Sequence, residues 1–457
     1  MCREGFSFAD DTARAPEAMT GPELAAPEPA AAETPVSLDG YPTPAQVKGM
    51  RMFWWDGLFA GVPMSLLLQY LPLFAVAYGA NNAEVGLMVA GAGLGAAVAF
   101  LPGAWLSDMW SRRKTFVVLT GGLLARAPFA GFILLPFVAD GEAALRIIIF
   151  LTVAQAFLAS LGTPAWTSLA ADIVPLSIRG RYFAWREFIY GTGGMVAAPA
   201  AGLMVALWGK PEGWQGVWLL ALAGGGISAW FFSRIPEEHR PPPPKGAPAA
   251  PPWHATILRD VNFLIFGGTV FLWNISLYAA APFFNIYLVK NLGASAAWVG
   301  GLAAVASAFG LVGQTMFGRL LDARGSRWLM AVCGLFIPLL PWAWYVIDAP
   351  WQIIFINAVG GVAWAGFTLG SFNFLLIVSP PQQRRYYAAA YQTLVFLSAA
   401  AGPLIGGIIA QSHSIKALFV ISGAGRLVAH VLFLRFVHEQ RLDARPSGRA
   451  TAPAPPA

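Results

Sequence analysis

Apolar runs of one particular length recur along this chain. A helix crossing the hydrocarbon core of a bilayer needs about 20 apolar residues. Windows of that kind lie at about 52–77, 84–107, 115–138, 146–171, 183–207, 214–234, 261–289, 297–318, 328–347, 350–377, 386–411 and 415–437. Burying them in water would need a charged coat, and the chain lacks one. Only 11% of its residues are charged, against about a quarter in soluble domains. The sequence therefore predicts an all-α membrane protein of twelve transmembrane helices. The weakest boundary is between the ninth and tenth, where only Asp348, Ala349 and Pro350 mark a turn. An even count places both termini on one side.

Lys and Arg decide which side, because cytoplasmic loops carry an excess of them. One side holds Lys48 and Arg51, Arg112–Arg113–Lys114, Arg179 and Arg181, the 234–259 loop, Arg319, Arg324 and Arg327, Arg384 and Arg385, and the C-terminal tail. Arg186 is counted there too. Arg146, Lys210, Lys290 and Lys416 fall on the other side and Arg126 and Arg426 inside spans, which leaves 23 of the 29 Lys and Arg on the first. Both termini are expected in the cytoplasm, and the chain in the cell (plasma or inner) membrane. The net charge of +6 does not indicate nucleic acid. Its basic residues are scattered through short loops and form no stripe. Cys2 and Cys333 make neither a disulfide framework nor a zinc site, and no metal or cofactor is expected.

Residues 1–50 are rich in Ala, Pro and Glu, hold no signal-peptide core, and read as a disordered cytoplasmic tail. Residues 438–457 read the same way. Residues 235–260 carry proline runs that favour an extended cytoplasmic linker. They divide the chain into six-helix bundles at 51–234 and 261–437. An internal repeat supports the division. YGANNAEVG (78–86) matches NLGASAAWVG (291–300) at an offset of 214, pairing Gly79 with Gly293 and Gly86 with Gly300. Residues 181–204 match 385–408 at an offset of 204, pairing Tyr182 with Tyr386, Pro199 with Pro403 and Gly202 with Gly406.

Between the eighth and ninth windows stands GRLLDARGSR (318–327), and at the matching place in the first half AWLSDMWSRR (104–113). Gly325 permits the positive torsion of a tight turn. Gly318 would let a neighbouring helix approach closely. Asp108 and Asp322 sit at helix ends, where they can accept bonds from a helix N-terminus or an arginine. The pattern resembles the signature loop of the major facilitator superfamily, Gly-x-Leu-x-Asp-x-x-Gly-Arg-Arg/Lys. The resemblance extends over nearly the whole chain through span count, charge bias and central loop. It implies that Asp108, Arg112, Arg113, Asp172, Gly318, Asp322, Gly325 and Arg327 are gating residues, with Asp172 a partner for Arg112. The first copy departs from the pattern at Ala104 and Ser111, and Leu376 stands where the second half would repeat Asp172. GMVAAPAAGL (194–203) and GPLIGG (402–407) are similar to the family's exporter motif, although small residues and proline also serve plain helix packing. Thr152 stands where proton-coupled drug exporters carry an arginine.

Polar residues inside the spans need a reason. Asp56 is the carboxylate read as a proton-coupling candidate. The alternative is an interfacial acid paired with Arg51 or a neighbouring helix. Arg126 and Arg426 fall on helices that the resemblance makes outer supports. They read as snorkelling or paired with a neighbour rather than binding solute. By the same resemblance helices 1, 4, 7 and 10 are inner. Their polar stripes supply Tyr70, Gln155, Trp166, Asn274, Tyr278, Asn285, Asn357 and Trp364 as substrate-binding candidates. The set suits an amphipathic or weakly polar solute.

The resulting expectation is a secondary active transporter working by alternating access, exporting a small organic molecule with the proton gradient. Its partners would be that solute, protons and the bilayer, and it would act as a monomer. An importer or facilitator of a sugar, metabolite or peptide fragment is the alternative, and a non-transporting membrane sensor is the alternative of another class. An enzyme is not expected, because the five histidines form no catalytic cluster.

Overall fold

The computed structural model describes residues 43–109, 112–175, 179–237, 257–379 and 384–438. The middle of the expected linker and most of both expected tails lie outside the described residues. Among those described there are helices and no strands. Twelve are long and apolar enough to cross a membrane. We number them α1 (Pro44–Ala77), α2 (Asn82–Met109), α3 (Arg113–Val138), α4 (Gly141–Ile173), α5 (Arg179–Trp208), α6 (Glu212–Ser233), α7 (Val261–Lys290), α8 (Ala296–Arg324), α9 (Ser326–Val346), α10 (Ile353–Val378), α11 (Arg384–Ser412) and α12 (Ile415–Phe436). Phe137, Phe150 and Leu207 stand exposed on the outside. That is a surface for lipid rather than water.

Each expected window corresponds to one helix, and the boundary at Asp348–Pro350 is a real turn between α9 and α10. One boundary needs correction. The expected tail 1–50 overlaps the first turns of α1. Thr43 Oγ1 accepts from the Gln46 amide and the Thr43 amide donates to the Gln46 side-chain oxygen, with Pro44 in the first helical turn. That capping box starts the helix ahead of the apolar run. Asp56 consequently lies about three turns into α1.

The two halves pack by the same pattern. α1 lies against α5 and α6, and α7 against α11 and α12. α2 pairs with α4, and α8 with α10. Equivalent aromatic clusters lock equivalent helices. Phe74, Phe132 and Trp218 bring together α1, α3 and α6. Phe284, Trp344 and Phe419 do the same for α7, α9 and α12. Gly79 and Gly293, paired by the repeat, both adopt positive φ (95° and 66°).

The halves meet through α2 with α11 and α5 with α8. Gly86 abuts the backbone of Pro403 and Gly407, and Gly300 abuts that of Ala198 and Pro199. A methyl group at either glycine would collide with a carbonyl oxygen. These are the paired glycines and prolines of the repeat, so the joint is itself two-fold. Its side-chain bonds lie at the same end. Asn82 donates to the Ala410 carbonyl, Tyr70 to that of Ala296, and Asn285 to the Gln69 side chain at 2.8 Å. That end is opposite the basic loops at 112–114 and 325–327.

α3 is irregular. It runs as a π-helix over Val118–Leu123 and as a 3₁₀-helix over Leu124–Arg126. A wide turn followed by a tight one interrupts the regular backbone hydrogen-bond ladder, and Arg126 donates to the Gly121 carbonyl at 2.7 Å.

Candidate functional site

Two cavities lie within the bundle. The first, about 420 Å³, is walled by the first half and lined by Asp56, Arg126, Trp166, Arg186, Glu187 and Tyr190 among others. The second, about 610 Å³, is walled mainly by the second half, with Asn285, Asn357, Trp364 and Arg426. Glu187 lines both.

Asp56 is buried at the first cavity. One carboxylate oxygen accepts from Arg186 Nη2 at 3.1 Å, the other from Ser228 Oγ at 2.7 Å. Three helices, α1, α5 and α6, thus meet on one carboxylate. Arg186 is held further by the faces of Phe53 and Trp166, 4.2 and 4.9 Å from its guanidinium carbon. Its other terminal nitrogen lies 3.8 Å from Glu187, whose side chain is 62% exposed. A buried acid, a caged arginine and an exposed acid therefore stand in series. Such a series can exchange partners when one of the two acids changes charge.

Two earlier readings are corrected here. Arg186 is 4% exposed and packed inside the bundle rather than among the loop charges. Of the two partners considered for Asp56, Arg51 or a neighbouring helix, it has the neighbouring helix, through Arg186. Arg126 and Arg426 line cavities instead of reaching for the bilayer surface. Position along a helix gives depth, but the rotation that turns a side chain inward comes from packing. Glu187 also went unread, although the Arg-Glu pair inside the 183–207 window was the visible signal.

The substrate-binding candidates do not converge on one point. Trp166 lines the first cavity, while Asn285, Asn357 and Trp364 line the second. Asn357 also donates to the Leu302 carbonyl at 2.9 Å, bridging α10 and α8. Tyr70 is fully buried at the joint between halves, donating to the Ala198 carbonyl at 2.7 Å. Asn274 donates to the Val270 carbonyl of its own helix. Tyr278 packs against Gly402 of α11. Gln155 is half-buried on α4 and lines neither cavity.

At the basic end, Arg113 donates to Ser168 of α4. Lys114 reaches the Ile235 carbonyl just past α6. Arg327 donates to the Val437 and Leu434 carbonyls at 3.0 and 2.8 Å, capping the end of α12. Gly325 takes φ +82° at the α8–α9 turn. Among the described residues, nothing stands within 4 Å of where a methyl group at Gly318 would lie. Arg112 is exposed. The side chains of Asp108, Asp172 and Asp322 lie outside the described ones.

Comparison with known proteins places this geometry among relatives. A family model described as Major Facilitator Superfamily matches residues 57–284 and 266–457. The multi-drug resistance efflux pump PmrA of Streptococcus pneumoniae is 26% identical over 173 residues, 37% of this chain and 43% of that protein. The multidrug resistance protein MdtG of Serratia proteamaculans is 27% identical over 175 residues, 37% of this chain and 42% of that protein. The chain thus spans under half the length of the curated relatives it matches. Among solved structures, the nucleoside transporter NupG superposes with a TM-score of 0.65 at 15% identity, covering 85% of this chain and 100% of that one. A D-xylose–proton symporter superposes with a TM-score of 0.64 at 14% identity, covering 86% and 98%. These structures share the fold.

Proposed function

This chain belongs to the Major Facilitator Superfamily and is a transporter, and on that premise we propose that it exports a small organic molecule by alternating access, driven by protons. The observation that carries the proposal is the Asp56–Arg186–Ser228 junction. A charged Asp56 ties α1 to α5 and α6; a proton on it releases Arg186 towards Glu187. The contact between α1 and α5 then depends on protonation, as a coupled cycle requires. One charge moved down the membrane potential supplies roughly 2.3 kcal/mol per 100 mV. Export is supported by the names of the partial relatives.

Solute contacts are assigned to Trp166, Asn285, Asn357 and Trp364, the candidates that line a cavity. Tyr70 is assigned to the joint between halves. The basic end is taken as cytoplasmic from its charge bias, with both termini on that side of a plasma or inner membrane. The joint at the other end then makes this conformation open to the cytoplasm. Asp108, Arg112, Arg113, Asp172, Asp322 and Arg327, with the turn glycines Gly318 and Gly325, form the latch that closes the basic end in the opposite state. A monomer suffices for this cycle.

Reconstituted vesicles loaded with a solute panel test the proposal. Efflux should rise under an imposed inward proton gradient and lose that dependence in Asp56→Asn. Flux indifferent both to the gradient and to the substitution would overturn coupling through Asp56.

A further inference from the structure

Arg426 lies in the interior of α12, 2% exposed, on the wall of the larger cavity. Its Nε and Nη2 atoms have no hydrogen-bond partner. Among the described residues, no ion pair includes it. The other two cavity arginines also leave Nε unpartnered, but each has a partner at a terminal nitrogen. Arg186 has Asp56, and Arg126 has the Gly121 carbonyl. A guanidinium kept from water without a counter-charge is costly, so its retention asks for a partner that comes and goes.

Charge across the cavities gives the same answer. Their ionisable lining is Asp56, Glu187, Arg126, Arg186 and Arg426, which is three cations against two anions. One positive charge is left over across the two cavities, and of the three arginines Arg426 alone makes no hydrogen bond or ion pair among the described residues. Other wall residues of the same cavity include Ser307, Gln314 and Thr368, with Trp344 and Trp364 as apolar faces. A fork of N–H donors beside hydroxyls and indole faces fits an oxyanion on an apolar body.

We infer that the larger cavity binds amphipathic organic acids carrying one negative charge, with the carboxylate on Arg426 and the body along Trp344 and Trp364. This rests on the transporter reading above and adds the charge of the solute, which that reading leaves open. The bound anion would supply the counter-charge that the protein omits.

The test uses the purified full chain in detergent, without any gradient. The probes are naphthalene-2-carboxylate and its uncharged primary amide, followed by quenching of tryptophan fluorescence. The unaltered protein should bind the carboxylate at least about tenfold more tightly, the scale of one charge-assisted hydrogen bond. Arg426→Gln should erase that preference, and Arg426→Lys should keep part of it. Equal affinity for the two probes, binding of neither, or a preference that survives Arg426→Gln would each overturn the inference. The probe comparison on unaltered protein does not depend on any variant folding. A second arm adds phosphatidylglycerol; displacement of the carboxylate by it would give the site to a lipid headgroup and overturn the solute assignment. Because no gradient is present, failed proton coupling leaves this result intact, and failed anion preference leaves coupling intact.

Discussion

The two halves share a backbone plan and treat buried charge in opposite ways. In the first half Asp56, Arg186 and Ser228 satisfy one another across three helices. At the repeat offsets of 214 and 204, the second half has Val270 for Asp56 and Ala390 for Arg186. Its nearest interior is aromatic, with Trp273 stacked on Phe367 at 4.6 Å. Its one cavity arginine, Arg426, has no carboxylate beside it. Duplication therefore preserved the helix contacts and let the polar interior diverge. The lesson is that the same backbone plan carries a self-neutralised interior in one half and an uncompensated one in the other.

Stability measurements can break that contrast. The largest effect is expected from Arg186→Met, which strands Asp56 as a lone buried charge and should lower unfolding stability by about 3–5 kcal/mol. Thermal unfolding in detergent reads it directly. Arg426→Met should act with the opposite sign, because it removes an unpaired charge and leaves none behind. A neutral effect or a gain of about 1–4 kcal/mol is expected. If both substitutions destabilise equally, the halves do not differ as argued. Ser228→Ala should cost about 1.5–3 kcal/mol, the range for a hydrogen bond to a charged group. That cost should shrink in an Asp56→Asn background, and a double-mutant cycle measures the shrinkage. The smallest effect is expected at Arg327→Ala, which uncaps the end of α12. It should cost about 0.3–1 kcal/mol and appear as faster amide exchange at the last turn, with no equivalent change at the end of α6.

Much of the fold could be read in advance, because the signal is hydropathy and survives averaging over a turn. All twelve spans, the repeat and the joint residues Gly86, Gly300, Pro199 and Pro403 were visible as strings. The site was only partly visible. Asp56 stood out because a carboxylate in an apolar run is rare. Arg186 did not, since it lies two turns from a helix start and was counted with loop charges. Arg126 and Arg426 were seen, but their direction was not, because which face of a helix points inward is fixed by its neighbours. Tyr70 shows the converse: it was read as a solute contact, and its hydroxyl is taken by the carbonyls of Ala198 and, across the joint, Ala296.

The position of that joint has a mechanical consequence. It sits near one end of α5, a helix of 30 residues, which is about 45 Å long. A pivot so far off centre gives each half a long lever arm. A turn of about 10° around the joint, a modest rigid-body rotation, would carry the far tip, about 30 Å away, by roughly 5 Å. That sweep matches the width of a small organic molecule. Displacements too slight to disturb side-chain packing at the fulcrum thus become a doorway at the other end.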